Sequence, residues 1–471
     1  MKGISNVRSI VFCFLIYIAV GSSVEAQVIT LEEFVENVLN NHPLAKQAGL
    51  YNDIASATLL GAKGAFDPLL GYEMKQKQFD HKNYYNMAIG DLTIPTPLGI
   101  NINTGYEVNS GLFLNPEHKT PSNGLIFGGV SVQLARGLII DDRRANLRMA
   151  NIGIELGNRL NQEEINLLIF QAVQHYLAWY QGYHNVALWK DVYMNAQERI
   201  KAVVSQVRSG DRPALDSIEA NIQLQQILIQ RTNAEWELQK ARNMLNTYWW
   251  NDQEMLNLPI NSKPISFEVP LIPSSLSLSV IDEIQFMDNH PTLRQYALKL
   301  GQLEVEQSLK KDKLKPEITL SYNPLFEPFQ TRALENLTLN NYKLGVKFKI
   351  PLYLRKERSE IRLVNYKIQK VELQKKHQTA TFFAQYQTFK LEWENTLEQK
   401  KMFLEAVQLY RQMYEAEIKL WEMGESSLFL VNTREQSWIQ AKIKLTEISA
   451  KNYLAYFALR WSVGDLVKLF D

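Results

Sequence analysis

From Arg355 to Met423 the chain runs for 69 residues without a glycine or a proline. Proline lacks the backbone donor and clashes with the preceding turn, and glycine costs about 1 kcal/mol in a helix interior. A run free of both reads as one helix, and at about 1.5 Å per residue it would be roughly 100 Å long. The ordinary globular helix has about 11–12 residues. A helix this long cannot be buried against one compact core and must pair lengthwise with others. The chain supplies partners. Arg143 to Ser209 holds Gly153, Gly157 and Gly182 but no proline, and Ala214–Trp250 and Leu428–Val463 hold neither breaker. Phe403, Val407, Tyr410, Tyr414 and Leu420 fall near three-and-four spacing, as a packed seam requires. Two hairpins of long helices follow, reversing at Gly210 and Gly424.

The spacing of other features points to a duplicated chain. Asn-His-Pro occurs at Asn41–Pro43 and again at Asn289–Pro291. In both places the next proline comes 25 residues later, at Pro68 and Pro316, and opens an alternating stretch. "GVSVQLARGL" from Gly129 matches "GVKFKIPLYL" from Gly345 in apolar pattern, and the segments around Gly210 and Gly424 align at an offset of 214. The predicted unit is helix, strand, loop, strand, long helix, turn, long helix. The first copy covers 27–250, a linker 251–280, and the second copy 281–471. In the triplet Asn fits a helix N-cap, proline fits the first turn, and histidine is incidental.

Four strands are predicted, near 68–78, 124–135, 316–323 and 341–351. Tyr342, Leu344, Val346, Phe348 and Ile350 alternate with Lys343, Gly345, Lys347 and Lys349, so one face is apolar and the other basic. Nine residues match a tilted membrane-crossing strand of about 9–11. A soluble half-buried sheet alternates in the same way, but here the pattern recurs at duplicated positions. Strands exposed to lipid must close into a barrel. Four are half of the smallest common barrel of about 8, so copies of the chain must share one, and three copies would make about 12. Residues 79–124, with "IPTPLGININTGYEV", hold material for another hairpin, inside the wall or outside the membrane.

The first 26 residues read as a signal peptide, with Lys2 and Arg8, an apolar core "IVFCFLIYIAV", and a small-residue end at Ala26. The only cysteine, Cys13, lies within it, so disulfides, thiol chemistry and an N-terminal lipid anchor are not expected. No later run of about 18 apolar residues forms a membrane helix. The 51 basic and 50 acidic residues balance, which gives no footprint for nucleic acid. The seven histidines show no HExxH spacing, there is no G-x-S-x-G, and Gly61 and Gly64 make no phosphate loop. No enzyme activity, cofactor or metal site is predicted.

This ordered double set resembles the TolC-type outer-membrane efflux protein family, over residues 28 to about 464. The resemblance rests on the duplicated Asn-His-Pro openings, the strand ends at Leu134 and Ile350, and the turns at Gly210 and Gly424. It implies a mixed α and transmembrane β fold: a homotrimer whose 12-stranded outer-membrane barrel continues into a long periplasmic helical barrel. It also implies an exit duct for a tripartite efflux pump or type I secretion system, served by a periplasmic adaptor and an inner-membrane transporter. Lys343, Lys347 and Lys349 would then line the lumen, and Gly210, Gly424 and Glu425 would meet the adaptor. Members often carry acidic residues just past the turns. Asp216, Glu219 and Ala220 keep that pattern, and Asp211 stands beside it. The corresponding second-copy positions are Leu430, Thr433 and Arg434, which depart from it. The other reading of these hairpins is a periplasmic coiled-coil adaptor or scaffold without a barrel.

Overall fold

The computed structural model describes residues 27–259, 261–265, 290–328 and 341–470. The signal-peptide segment with Cys13, Asn289 of the second triplet, and residues 266–280 of the linker lie outside the described residues. The chain divides into two compact units, and three of the crossings between them fall inside helices.

One unit gathers residues up to Lys46, Glu164–Ile281 and Phe382–Asp471. It holds a two-residue strand β1 (Val28–Ile29), helix α1 (Leu31–Asn41), and most of α3 (Asp142–Arg208). It also holds α4 (Ala214–Asn246), the short β6 (Lys263–Pro264), the later part of α6 (Arg355–Glu422), and α7 (Leu428–Val463). The 67 residues of α3 and 68 of α6 make each helix about 100 Å long. Ile169, Val173, Tyr176 and Tyr180 of α3 repeat at three and four residues and are fully buried. They pack with Phe34 and Val38 of α1 and with Tyr453 and Phe457 of α7. Tyr176 donates to the Ile29 carbonyl at 2.8 Å and so fixes β1 beside β6. Two smaller clusters continue along the helices, one around Val192, Ile227 and Ile439 and one around Val203, Tyr414, Trp421 and Val431.

The histidines of the two triplets have a role that the sequence reading did not assign. α2 (Pro43–Gly64) starts at the proline, and the Leu44 amide donates to His42 Nδ1 at 3.1 Å. α5 (Pro291–Asp312) has His290 as its N-cap, and the Thr292 amide donates to His290 Nδ1 at 3.2 Å. The cap is the histidine and not the asparagine. Proline at the first helical position has no N–H, so the first donor needing a partner is one residue further on, within reach of an imidazole nitrogen two residues back.

The other unit, Gln47–Glu163 and Asp282–Thr381, carries the sheet. Its helical part joins α2, the start of α3, α5 and the start of α6. α2 and α3 approach so closely that a Cβ on Gly157 would lie 2.9 Å from the Tyr51 carbonyl oxygen, which accounts for a glycine inside a long helix. Lys310–Glu360 and Lys367–Glu306 pair α5 with α6.

The strands are β2 (Leu69–Phe79), β3 (Lys82–Pro95), β4 (Ile100–Ser110), β5 (Leu125–Gln133), β7 (Glu317–Phe326) and β8 (Tyr342–Lys349). They form one antiparallel sheet in the order β2-β3-β4-β5-β7-β8. The expected four strands are therefore six. Residues 82–110 form a hairpin seated between β2 and β5, so the span 79–124 contributes to the sheet itself. Asp80 and His81, at φ 51 and 54, close β2 onto β3 in a two-residue turn whose hand suits twisted strands.

Candidate functional site

The pairing registers fix which side chains share a face of the sheet. Tyr72, Leu92, Ile102, Val130, Leu320 and Val346, one from each strand, lie on one face. Glu73, Asp91, Asn103, Ser131, Glu317 and Lys347 lie on the other. The apolar face is most open on the edge strands, where Tyr72 is 74% exposed, Val346 68% and Phe348 63%, and half-buried on β3 and β7. Apolar surface of this extent on a sheet spanning six strands marks contact with lipid or protein rather than water.

The lysines expected in a lumen, Lys343, Lys347 and Lys349, lie together on the polar face of β8. Lys343 Nζ is 2.7 Å from Glu107 Oε1 on β4, and Lys347 Nζ is 3.4 Å from Glu317 on β7. In a flat sheet β8 and β4, three strand spacings apart, would be separated by about 14 Å. The contact shows that the polar face is concave and the sheet curled into a half-barrel.

At the other candidate positions the two helical turns have the same construction. Gly210 and Gly424 have φ of 81 and 80, and a Cβ on either would meet nothing within 4 Å. The requirement for glycine is conformational, not spatial. The Gly210 amide donates to Val207 and the Asp211 amide to Gln206, while Gly424 donates to Trp421 and Glu425 to Leu420. This paired pattern satisfies the last carbonyls of α3 and α6 and stops both helices. Asp211 and Glu425 are exposed at these turns.

Asp216, in the first turn of α4, is 3.5 Å from Arg212 Nη1. The same guanidinium lies 4.4 Å from the centre of the Trp421 ring and donates to the Trp421 carbonyl at 2.9 Å. Arg212 therefore ties the α3–α4 turn to the end of α6. Glu219 accepts from Asn432 Nδ2 at 3.3 Å. Leu430 is partly exposed, Thr433 bonds back to Phe429, and Arg434 pairs with Glu417 at 3.6 Å.

Beside Asn432 lies a buried ionic group that sequence reading did not single out. Arg199 of α3 donates to Glu435 of α7, and Tyr414 of α6 donates to the same Glu435 oxygen at 2.7 Å. Glu435 is 1% exposed. Burial pulls the Arg199 guanidinium down, but Glu435 and Tyr414 more than offset this and hold it above its ordinary range. Burial, then the Glu435 carboxylate, pushes the Tyr414 hydroxyl well up, so it stays a donor. Through Arg199, Glu219, Tyr414 and Glu435 all four hairpin helices meet in one network. The available signal was Glu435 among Leu428, Val431 and Ile439, a charge on a core stripe. The Arg212–Trp421 and Glu107–Lys343 contacts carry no such signal, since their partners are distant in the chain.

Among the described residues no helix is long and apolar enough to cross a membrane, and no group of His, Cys, Asp or Glu could hold a metal ion.

No protein-family model matches the sequence, and no curated protein matches it. Solved structures do match its fold. The chain is similar to the CmeC outer membrane channel of Campylobacter jejuni at 14% identity and a TM-score of 0.67, over 92% of this chain and 85% of that one. The outer-membrane channel OprN aligns at 13% identity and 0.68, over 92% and 90%. The MtrE outer membrane channel of Neisseria gonorrhoeae, in its open state, aligns at 12% and 0.64, over 93% and 89%. The fold is that of the TolC-type outer-membrane channels, with long helices and a curled sheet.

Proposed function

We propose that this chain forms, as a homotrimer, an outer-membrane exit duct that passes substrate from an inner-membrane transporter and a periplasmic adaptor to the exterior. The observation that carries this reading is the sheet: one apolar face continuous across six strands and most exposed on β2 and β8, opposite a concave face of paired charges. The fold shared with outer-membrane channels supports it. Lipid covers the apolar face, and the concave face with Lys343, Lys347 and Lys349 lines water. An open sheet edge is not tolerated in lipid, so copies of the chain complete the wall. Leu215, Ile218, Ile222 and Ile229, exposed along α4 at three, four and seven residues, supply a helical seam for the same assembly. The duplicated order of elements is read as an internal repeat, and the duct serves an efflux pump or a type I secretion system. A periplasmic scaffold would share the hairpins, but it has no use for an exposed apolar sheet.

In this assembly the turns at Gly210, Gly424 and Glu425 face the adaptor. Three copies of Asp216, with Glu219 and Asp211 nearby, ring the closed end, each Asp216 steadied by Arg212. Planar-bilayer recording tests the proposal. The protein should conduct poorly at rest, and Asp216→Ala should raise conductance or reduce block by divalent cations. A protein that stays soluble without detergent and never conducts would remove the duct reading. Unchanged conductance and block in Asp216→Ala would leave the duct and move the constriction elsewhere.

A further inference from the structure

We infer that the hairpin β3–β4 is part of the membrane wall, so that each chain gives six strands and three copies close a barrel of eighteen through pairing of β8 with β2 of the next copy. This rests on the duct reading and fixes the width of the duct.

Four observations place the hairpin in the wall. First, it is not an appendage: β2 pairs with β3 and β5 with β4, so the sheet is continuous only through Lys82–Ser110. Second, outside residues 87–90 its faces match their neighbours. Leu92, Ile94, Ile102 and Val108 share the apolar face, while Asp91, Thr93, Asn103 and Glu107 share the polar one. A hairpin standing in water outside the membrane has no reason to keep its apolar side aligned with that of β2 and β8. Third, its inner turn is short and anchored beside the helices. Thr96 and Gly99 close it, Gly99 lies against the Arg144 guanidinium at φ 82, and Arg143 Nη1 reaches Asn101 at 3.4 Å. The connection β4 to β5 at the opposite end is longer, Gly111–Gly124. Short turns at the inner end and long loops at the outer end are the rule for such barrels; β4–β5 follows it, while the β2–β3 turn at the outer end has only two residues. Fourth, 14 and 11 residues are enough for a tilted crossing of about 9–11.

The edges suit a second copy of the same chain. Every pair from β2 to β8 is antiparallel, and the count is even, so β8 and the β2 of a neighbour run antiparallel as well. The sheet is also staggered: Leu69, the first residue of β2, is level through Thr93 and Asn103 with Gly129, midway along β5. Tilted barrel strands need that stagger. Barrel diameter grows roughly linearly with strand number, so eighteen strands give a lumen about half as wide again as twelve. Such a barrel, in the range that leaves an open aqueous channel of about 16–18 strands, admits bulky solutes and leaves selection to the helical end.

Nitroxide scanning of the full-length protein in liposomes tests this, in a Cys13→Ser background. Labels at Ile102, Thr104 and Val108 should collide with oxygen from lipid, and labels at Asn101, Asn103 and Asn109 with a water-soluble nickel complex. Leu344 and Val346 against Gly345 and Lys347 serve as the reference on β8. Alternation on both strands supports the inference. Alternation on β8 with nickel access throughout 101–109 overturns it and leaves the duct reading. Nickel access on both faces of β8 overturns the duct reading itself. Electron cryomicroscopy of the unlabelled assembly gives a second reading: eighteen strands are expected, and twelve would contradict the inference.

Discussion

Lys343 on β8 and Glu107 on β4 meet at 2.7 Å across two intervening strands. Only a concave polar face brings them together, and this fixes Leu344, Val346 and Phe348 on the convex face of the curled sheet.

Val346→Arg should therefore impair assembly and Lys347→Glu should not. A basic residue on the lipid face at mid-membrane costs about 2–4 kcal/mol, whereas lumen changes mainly alter selectivity. The Lys347–Glu317 pair is exposed on the lysine side and spaced at 3.4 Å, and its loss adds little. The amount of heat-modifiable oligomer in outer-membrane fractions reads the difference. The reverse ranking would invert the faces.

Gly424→Ala should destabilise the α6–α7 turn by about 1–2 kcal/mol, because a Cβ at φ 80 is strained even though space is free. Gly424→Asn should cost less, since asparagine tolerates the left-handed region. Gly210 should behave alike. Thermal unfolding of the detergent-solubilised protein checks the order; equal melting temperatures for alanine and glycine would contradict it.

Glu435→Ala should be among the most damaging single changes outside the sheet. It leaves Arg199 buried without its carboxylate, a loss of the kind that costs about 3–5 kcal/mol. Replacing both partners, Arg199→Met with Glu435→Leu, should recover much of this, because the pair's attraction largely offsets its desolvation. A double variant as unstable as Glu435→Ala would show that the network does more than cancel its own charges.

Stability should fall as pH drops through and below 6.5. Burial lowers His42, with the Thr247 carbonyl opposing; burial lowers His175, and burial and Lys442 lower His184. A histidine depressed in the folded state binds its proton first in the unfolded state, so its contribution is complete above 6.5 and lost as pH falls through the folded value. His42 and His175 both pack on the Tyr248 ring, at 5.3 and 5.0 Å between centroids. His42→Asn keeps a cap acceptor and should flatten the pH dependence of the melting temperature. An unchanged slope would remove His42 from the account.

The long helices were legible because helix length is written locally: α3 and α6 run through proline-free stretches and stop just before Gly210 and Gly424. β8 was legible because every second residue is large and apolar. The hairpin β3–β4 was not, since its apolar face carries Ala88 and Gly90 while Met87 and Ile89 sit on the polar one, which blurs the period of two. The Lys343 side of the wall could be read, but Glu107 opposite it depends on curvature, a property of the assembled sheet. The histidine caps escaped because imidazole is an uncommon cap and asparagine stood beside it.

The mass of the detergent-solubilised particle tests the central claim most directly. Six strands with two open edges cannot close a wall alone, the smallest common barrels having about 8. Native mass spectrometry should find three chains in one particle. A particle with the mass of a single chain that keeps its strand content would contradict a barrel shared between copies.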